Sequence, residues 1–282
     1  MTENIEIQTV RTDHFSMDYF RFGHGKETLV ILPGLSVQSV MNSADIVANA
    51  YRTLTDDFTI YVFERRNELP AAYTVFQMAS DTAEVMRALH LKETCIFGAS
   101  QGGMMAMAIA ARHPELVRKM ALGSTTACVT DEIYGTIGRW AALAKAQDVE
   151  ALYQAFGEAI YPKETYEQYR KALSMLARNV TKEELDRFVI LAESMKGFDM
   201  TGALDRIACP VLVIGVKNDQ VVGAGASLEI AGRLKNHPGC EIHLYDDYGH
   251  AAYDLAPDYK ERLLRFFKSH PDGSAPDLNI CL

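Results

Sequence analysis

Residues Thr94 to Arg112 read TCIFGASQGGMMAMAIAAR: a short apolar run, a glycine-flanked serine, then a strongly apolar segment of helical character. Gly98-Ala99-Ser100-Gln101-Gly102 is a G-x-S-x-G pattern set between a strand and a helix. A serine on so sharp a turn takes a strained backbone conformation, and the residues two before and two after it must lack side chains for strand and helix to approach. Gly98 and Gly102 meet that need, and Gly103 widens the clearance. Such a turn lifts the Ser100 hydroxyl clear of the sheet. It also puts the Gln101 amide at a helix N-terminus, where partial positive charge favours a developing oxyanion. Ser100 is therefore the candidate nucleophile. A glycine-rich turn can match the pattern by chance, so the flanking elements and the partners downstream have to decide.

The bounds agree with one enzyme-sized unit. The chain has 282 residues with 48% hydrophobic content, enough for one large buried core with an insertion. The formal charge of −9 argues against nucleic acid or an anionic membrane surface as a partner and favours a small, mostly apolar molecule. Five cysteines, Cys95, Cys128, Cys209, Cys240 and Cys281, are scattered without a C-x-x-C pair, which suggests reduced thiols rather than a disulfide framework or a zinc site. MTENIEIQTV at the start has neither a basic cluster nor an apolar core of a secretory signal. The longest apolar run, Met104 to Ala111, is far short of the roughly 18 residues of a membrane span. The expectation is a cytoplasmic protein with no metal or cofactor.

Along the chain, Ile5 to Phe15 and Met17 to Gly23 read as two β segments of an opening hairpin, and Glu27 to Leu32 as a buried strand ending at Pro33-Gly34-Leu35-Ser36. Val40 to Thr53 is predicted as a helix and Phe58 to Phe63 as a strand, followed by the charged Glu64-Arg65-Arg66-Asn67-Glu68. Thr74 to Leu89 carries Met78, Thr82, Val85, Met86 and Leu89 on one helical face. Lys119 to Gly123 reads as the next strand. Thr130 to Asp205 is then helical throughout, rich in aromatic and methionine residues among many charges, with Trp140 the single tryptophan. Cys209 to Gly215 is a near-continuous apolar run, the mark of a central parallel strand, and ends at Val216-Lys217-Asn218-Asp219. Ala226 to Leu234 reads as helix and Cys240 to Tyr245 as strand. Tyr248-Gly249-His250-Ala251 and Asp254-Leu255-Ala256-Pro257 then lead to a last helix. Alternating strands and helices predict a parallel doubly wound α/β sheet.

These motifs together resemble the α/β-hydrolase superfamily, especially its small esterase and enol-lactonase branch, whose elbows read like GASQGG. The resemblance runs from the second β segment to the last helix. It implies an α/β-hydrolase core over residues 1–129 and 206–282, with residues 130–205 as a helical cap roofing the site. It also implies the roles of three residues in the chain order Ser100, Asp219, His250, the order of this fold. Asp219 stands just past the strand where the family's acid sits, and Asp131, after the preceding strand, is the substitute position. His250 alone of the eight histidines has the Gly-His context. The second oxyanion donor corresponds to Leu35. Two loops depart from the family pattern. Pro33 stands where a bracing histidine is usual, and Glu64-Arg65-Arg66-Asn67-Glu68 replaces Asp-x-Arg-Gly-x-Gly. The proline usual after Asp219 is also absent, so Val222-Gly223-Ala224-Gly225 is expected to form a mobile loop.

The chemistry implied is that of a serine hydrolase. Neutral His250 would take the Ser100 proton, Asp219 would hold the imidazole tautomer, and the Gln101 and Leu35 amides would bind the oxyanion. A small carboxylic ester or lactone follows from the resemblance alone. The same fold also supports thioesterases, C–C hydrolases and haloperoxidase-like proteins, and a receptor that binds a ligand with little turnover. Trp140 is the cap residue singled out as a substrate contact.

Overall fold

The computed structural model describes residues 5–235 and 237–269. Among them the chain builds an eight-stranded sheet in the order β1-β2-β4-β3-β5-β6-β7-β8. The strands are β1 (Ile7–Arg11), β2 (Ser16–Phe22), β3 (Glu27–Leu32), β4 (Phe58–Arg66), β5 (Thr94–Ala99), β6 (Val117–Gly123), β7 (Val211–Val216) and β8 (Cys240–Tyr245). The opening hairpin β1–β2 is antiparallel and joins β4 antiparallel, whereas every pairing from β4 to β8 is parallel. Every residue of β5 and of β7 is buried, which is why both read as unbroken apolar runs instead of alternating ones.

Helices cover both faces. α2 (Val75–Ala88) starts in a capping box between Thr74 and Gln77 and buries Met78, Thr82, Val85 and Met86 along one side. It packs with α3 (Gln101–Arg112) and α8 (Gly223–Arg233) against Val30, Leu32, Ile96, Leu122 and Val213. On the opposite face, α1 (Ala44–Ala50) and α10 (Tyr259–Lys268) cover Leu29, Ile31, Phe97, Leu212 and Ile214. The alternation of Leu29/Ile31 with Val30/Leu32 between the two clusters is the period-two signature of a strand buried on both sides.

Three local expectations are corrected. The helix expected over Val40 to Thr53 is broken into a 3₁₀ turn Val40–Ser43, the short α1, and a second 3₁₀ turn Arg52–Leu54. Ser39 opens the first turn by accepting from the Met41 amide, a side-chain bond that competes with continuous helix. β4 runs on to Arg66, so Glu64-Arg65-Arg66 is strand, not loop. The stretch after Asp219 is no open loop either, because α8 begins at Gly223.

Between β6 and β7 lie four helices: α4 (Asp131–Lys145), α5 (Val149–Ile160), α6 (Lys163–Ala177) and α7 (Lys182–Glu193). The base of this insertion is pinned where Cys128 pairs with Asp199, with Val129 N donating to Phe198 O at 2.9 Å and Met200 N to Ala127 O at 2.7 Å. Its interior is apolar, built on Ile133, Ile137, Trp140, Leu152 and Phe188, and is continuous with the core beneath α3.

Candidate active site

Ser100 sits between β5 and α3 with φ 52° and ψ −120°, a region that side-chain-bearing residues seldom adopt. The surroundings hold it there. Its amide donates to Gly123 O at 2.8 Å, and its carbonyl accepts from Gly103 N at 2.9 Å and Thr125 Oγ1 at 2.6 Å. A Cβ on Gly102 would overlap the Leu32 carbonyl, and one on Gly98 would overlap the Gly102 backbone. A Cβ on Gly103 would stand 2.7 Å from Thr125. All three glycines therefore serve close approach of β3, β5, α3 and the segment after β6.

From that turn Ser100 Oγ lies 2.9 Å from His250 Nε2. His250 Nδ1 is 2.9 Å from Asp219 Oδ2 and 3.1 Å from Oδ1. The three come from the ends of β5, β7 and the loop after β8, at the carboxyl edge of the parallel strands where such sheets place their ligands. All three are buried, at 7%, 6% and 3% exposure for Ser100, Asp219 and His250. Asp219 Oδ1 also accepts from the amides of Val221 and Val222 at 2.8 and 3.0 Å. Burial alone would raise the Asp219 pKa, but the imidazole beside it and those two amides outweigh burial and hold the carboxyl below its ordinary 3.8. An ionised carboxylate can only accept, so Nδ1 carries the imidazole hydrogen and Nε2 is left to accept from the Ser100 hydroxyl.

Gly34 brings the loop after β3 against this hydroxyl, since a Cβ at Gly34 would stand 3.2 Å from Ser100 Cβ. Among the described residues the amides of Leu35 and Gln101 have no backbone acceptor. The loop is braced from an unforeseen side. Arg65, 3% exposed, donates through Nη2 to Pro33 O at 2.8 Å and to Gln101 Oε1 at 2.7 Å, with Gly34 O at 3.3 Å. Gln101 Nε2 in turn donates to Leu191 O at 2.8 Å and Ser194 Oγ at 3.2 Å, at the end of α7. Glu64 accepts from Ser39 Oγ at 2.6 Å and Val40 N at 3.2 Å. Arg187 of α7 lies 3.6 Å from Glu64 and donates to the Arg65, Arg66 and Asn67 carbonyls. Burial lowers the Arg65 pKa, with Glu64 pulling it back up. Arg65, Glu64, Arg187 and Ser194 escaped sequence reasoning. The available signal was three charged residues directly after the buried run of β4, at the carboxyl edge of the sheet.

The remaining candidates lie apart. Asp131 is exposed as the first residue of α4, and the carboxylate bonded to His250 is that of Asp219. Trp140 is 3% exposed and its ring packs on Phe156 at 4.5 Å between centroids. His14, His24 and His90 are exposed, and Cys95, Cys128, Cys209 and Cys240 are free thiols. His270 and Cys281 lie outside the described residues. Among the described residues no three His, Cys, Asp or Glu side chains group as metal ligands, and no helix is long and apolar enough to cross a membrane.

With this geometry in place, comparison with known proteins bears on the fold. The model of the α/β-hydrolase fold family matches residues 27–159. MGS-M2, an α/β hydrolase enzyme from a Medee basin deep-sea metagenome library, superposes with a TM-score of 0.82, covering 93% of this chain and 98% of its own at 19% identity. The chain has the α/β-hydrolase fold. Further proteins are similar to this chain in sequence or in fold. The putative carbamate hydrolase RutD of Agrobacterium fabrum is 26% identical over 222 residues, 76% of this chain and 84% of its own length. Serine hydrolase BPHL of Mus musculus is 24% identical over 262 residues, 89% and 82% of the two chains. The enol-lactonase of Burkholderia xenovorans LB400 shares the fold with a TM-score of 0.79 at 18% identity, covering 92% of this chain and 99% of its own.

Proposed function

We propose that this protein is a serine hydrolase that cleaves a small carboxylic ester or lactone through an acyl-enzyme on Ser100. The observation that carries the reading is the unbroken relay Ser100 Oγ to His250 Nε2 at 2.9 Å and His250 Nδ1 to Asp219 at 2.9 Å, on a strained elbow beside unpaired amides. In this reaction Ser100 Oγ bonds to the carbonyl carbon while its proton passes to His250 Nε2, and Asp219 stabilises the imidazolium. The Leu35 and Gln101 amides take up the charge on the carbonyl oxygen. Collapse of the tetrahedral adduct breaks the carbon–oxygen bond of the ester, and the leaving alkoxide takes the proton from His250. In a second round water gives a proton to His250 and attacks the acyl carbon; collapse of this adduct breaks the bond to Ser100 Oγ, which takes the proton back from His250 as the acid leaves. A lactone follows the same steps and leaves its alcohol tethered to the acid. No step requires a cofactor.

The relatives named carbamate hydrolase favour a second substrate class for the same machinery, since a carbamate carbonyl presents a nitrogen or oxygen leaving group to the same relay. The test is covalent labelling by a fluorophosphonate together with turnover of p-nitrophenyl esters and carbamates. Labelling at Ser100 with turnover that Ser100→Ala abolishes supports the reading. Tight binding of the esters with neither labelling nor turnover would replace it with a ligand receptor.

A further inference from the structure

A guanidinium buried to 3% exposure is costly unless its donors are used, and those of Arg65 converge on one small feature. Nη2 carries two hydrogens and faces three acceptors: Pro33 O at 2.8 Å, Gln101 Oε1 at 2.7 Å and Gly34 O at 3.3 Å. Nε is buried with no partner among the described residues. The side chain is thus held for what Nη2 does.

The consequence comes from peptide planarity. The Gly34 carbonyl and the Leu35 N–H belong to one rigid trans unit and point in opposite directions. A donor that holds Gly34 O on one side therefore aims Leu35 N–H to the other. Without such a donor the plane is free to rotate, because Gly34 lacks the Cβ that would restrict it. The second amide is aimed in the same way. Gln101 N–H shares its peptide plane with the Ser100 carbonyl, which Gly103 N and Thr125 Oγ1 hold at 2.9 and 2.6 Å. Each unpaired amide next to Ser100 is thus oriented by a hydrogen bond to the carbonyl at the far end of its own plane. For Gln101 the helix supplies that bond. For Leu35, in a loop without a helix, Arg65 supplies it from β4.

We propose that Arg65 is the positioning residue of the oxyanion site: it fixes the Gly34–Leu35 peptide so that the Leu35 amide faces the oxygen of the tetrahedral adduct on Ser100. This rests on the serine-hydrolase reading above and adds to it a residue that never touches substrate. Because all three contacts use one nitrogen, a lysine, with three donors on a single nitrogen, can replace part of the function, whereas an isosteric apolar side chain cannot.

The test compares wild type, Arg65→Met and Arg65→Lys in p-nitrophenyl ester hydrolysis, with active sites counted by fluorophosphonate, and measures inhibition by an alkyl boronic acid whose adduct carries the oxyanion. For Arg65→Met, kcat per titrated site should fall by about 10^2- to 10^3-fold, the effect of losing one oxyanion donor, with KM within about threefold of wild type. The boronic acid inhibition constant should rise by a matching factor, and the pH at which activity rises should stay put. Arg65→Lys should lose only about tenfold in kcat, again matched by the inhibition constant. If Arg65→Met does not fold, the lysine variant carries the test alone. Wild-type kcat and inhibition constant in whichever variant folds would overturn the proposal. So would a loss that appears only as fewer titrated sites, or a lower kcat with an unchanged inhibition constant. Failure of the fluorophosphonate to label wild-type Ser100 would instead remove the serine-hydrolase reading, and the proposal with it.

Discussion

In the proposed mechanism the Ser100 hydroxyl becomes a nucleophile only when His250 is neutral and correctly turned, so the three side chains of the relay should act as one unit. Ser100→Ala and His250→Ala should each cut turnover by about 10^3- to 10^6-fold with little change in melting temperature, since neither side chain fills the core. Asp219→Asn should also be severely impaired, because an amide in that place stabilises the wrong tautomer. Asp131→Asn should be near wild type, its side chain being exposed. The same carboxylate governs pH behaviour in two ways. Asp219 is held below 3.8, so it is already charged at mildly acidic pH, and a single ionisation other than its own should control the acid limb of kcat/KM. For stability the sign is fixed by the direction of the shift. A carboxyl depressed in the folded state stabilises the protein above its unfolded pKa, and that contribution disappears as pH falls through the folded value. Urea midpoints of wild type and Asp219→Asn should therefore differ by a constant amount above about pH 4 and converge below it. A difference that kept growing below that pH would contradict the depressed pKa.

At the scale of elements the site depends on how closely β3, β5 and α3 meet. A Cβ on Gly102 would run into the Leu32 carbonyl, a backbone atom that cannot swing away. Gly102→Ala should destabilise by about 3 kcal/mol, the upper end for overpacking, and should lose activity with it. Gly135, exposed in the middle of α4, has nothing within 4 Å of an added Cβ. Gly135→Ala should raise stability by about 0.5–1 kcal/mol through the helix backbone alone. Urea unfolding of the pair checks both, and equal effects would mean that the elbow is not sterically limited. α7 has a different part: Arg187 on the β4 carbonyls and Leu191 and Ser194 on Gln101 bind the insertion to β4, which also carries Arg65, and to the start of α3 beside Ser100.

For the whole molecule the question is how a buried Ser100–His250–Asp219 site would select substrate. Recognition by shape implies that each methylene added to the acyl chain improves kcat/KM by about 0.8 kcal/mol, roughly fourfold, until the space is filled, and lowers it beyond that length. A p-nitrophenyl ester series from acetate to decanoate should show the break. No dependence on length, or a strict need for a charged group, would move selection to a polar residue of the site. Trp140 can be tested in the same series, but only by a mild change. Its ring is packed on Phe156 within the insertion, so Trp140→Ala should cost about 3–5 kcal/mol of stability whatever it does to substrate. Trp140→Phe keeps most of that packing. If Trp140 contacts substrate, the break should shift to a longer acyl chain, and an unmoved break would remove it from the site.

What the sequence by itself determined was everything governed by rules acting within a few residues. Glycines two before and two after Ser100 declare the elbow because close approach forbids a Cβ there, and unbroken apolar runs such as Val211 to Val216 declare strands buried on both faces. The chain order of Ser100, Asp219 and His250 supplied the relay. The same rules misjudged Glu64 to Arg66, since charge after an apolar run ordinarily marks a loop. They passed over the 90-residue separation that brings Gln101 to Leu191. Only the tertiary structure decided between Asp219 and Asp131 and turned the stretch after Asp219 into the start of a helix. It also showed that a loop lacking a histidine is braced by Arg65. Periodicity reports how deeply a residue is buried, but a hydrogen-bond partner depends on the path of the whole chain, and a buried charge is stable only where that path delivers one.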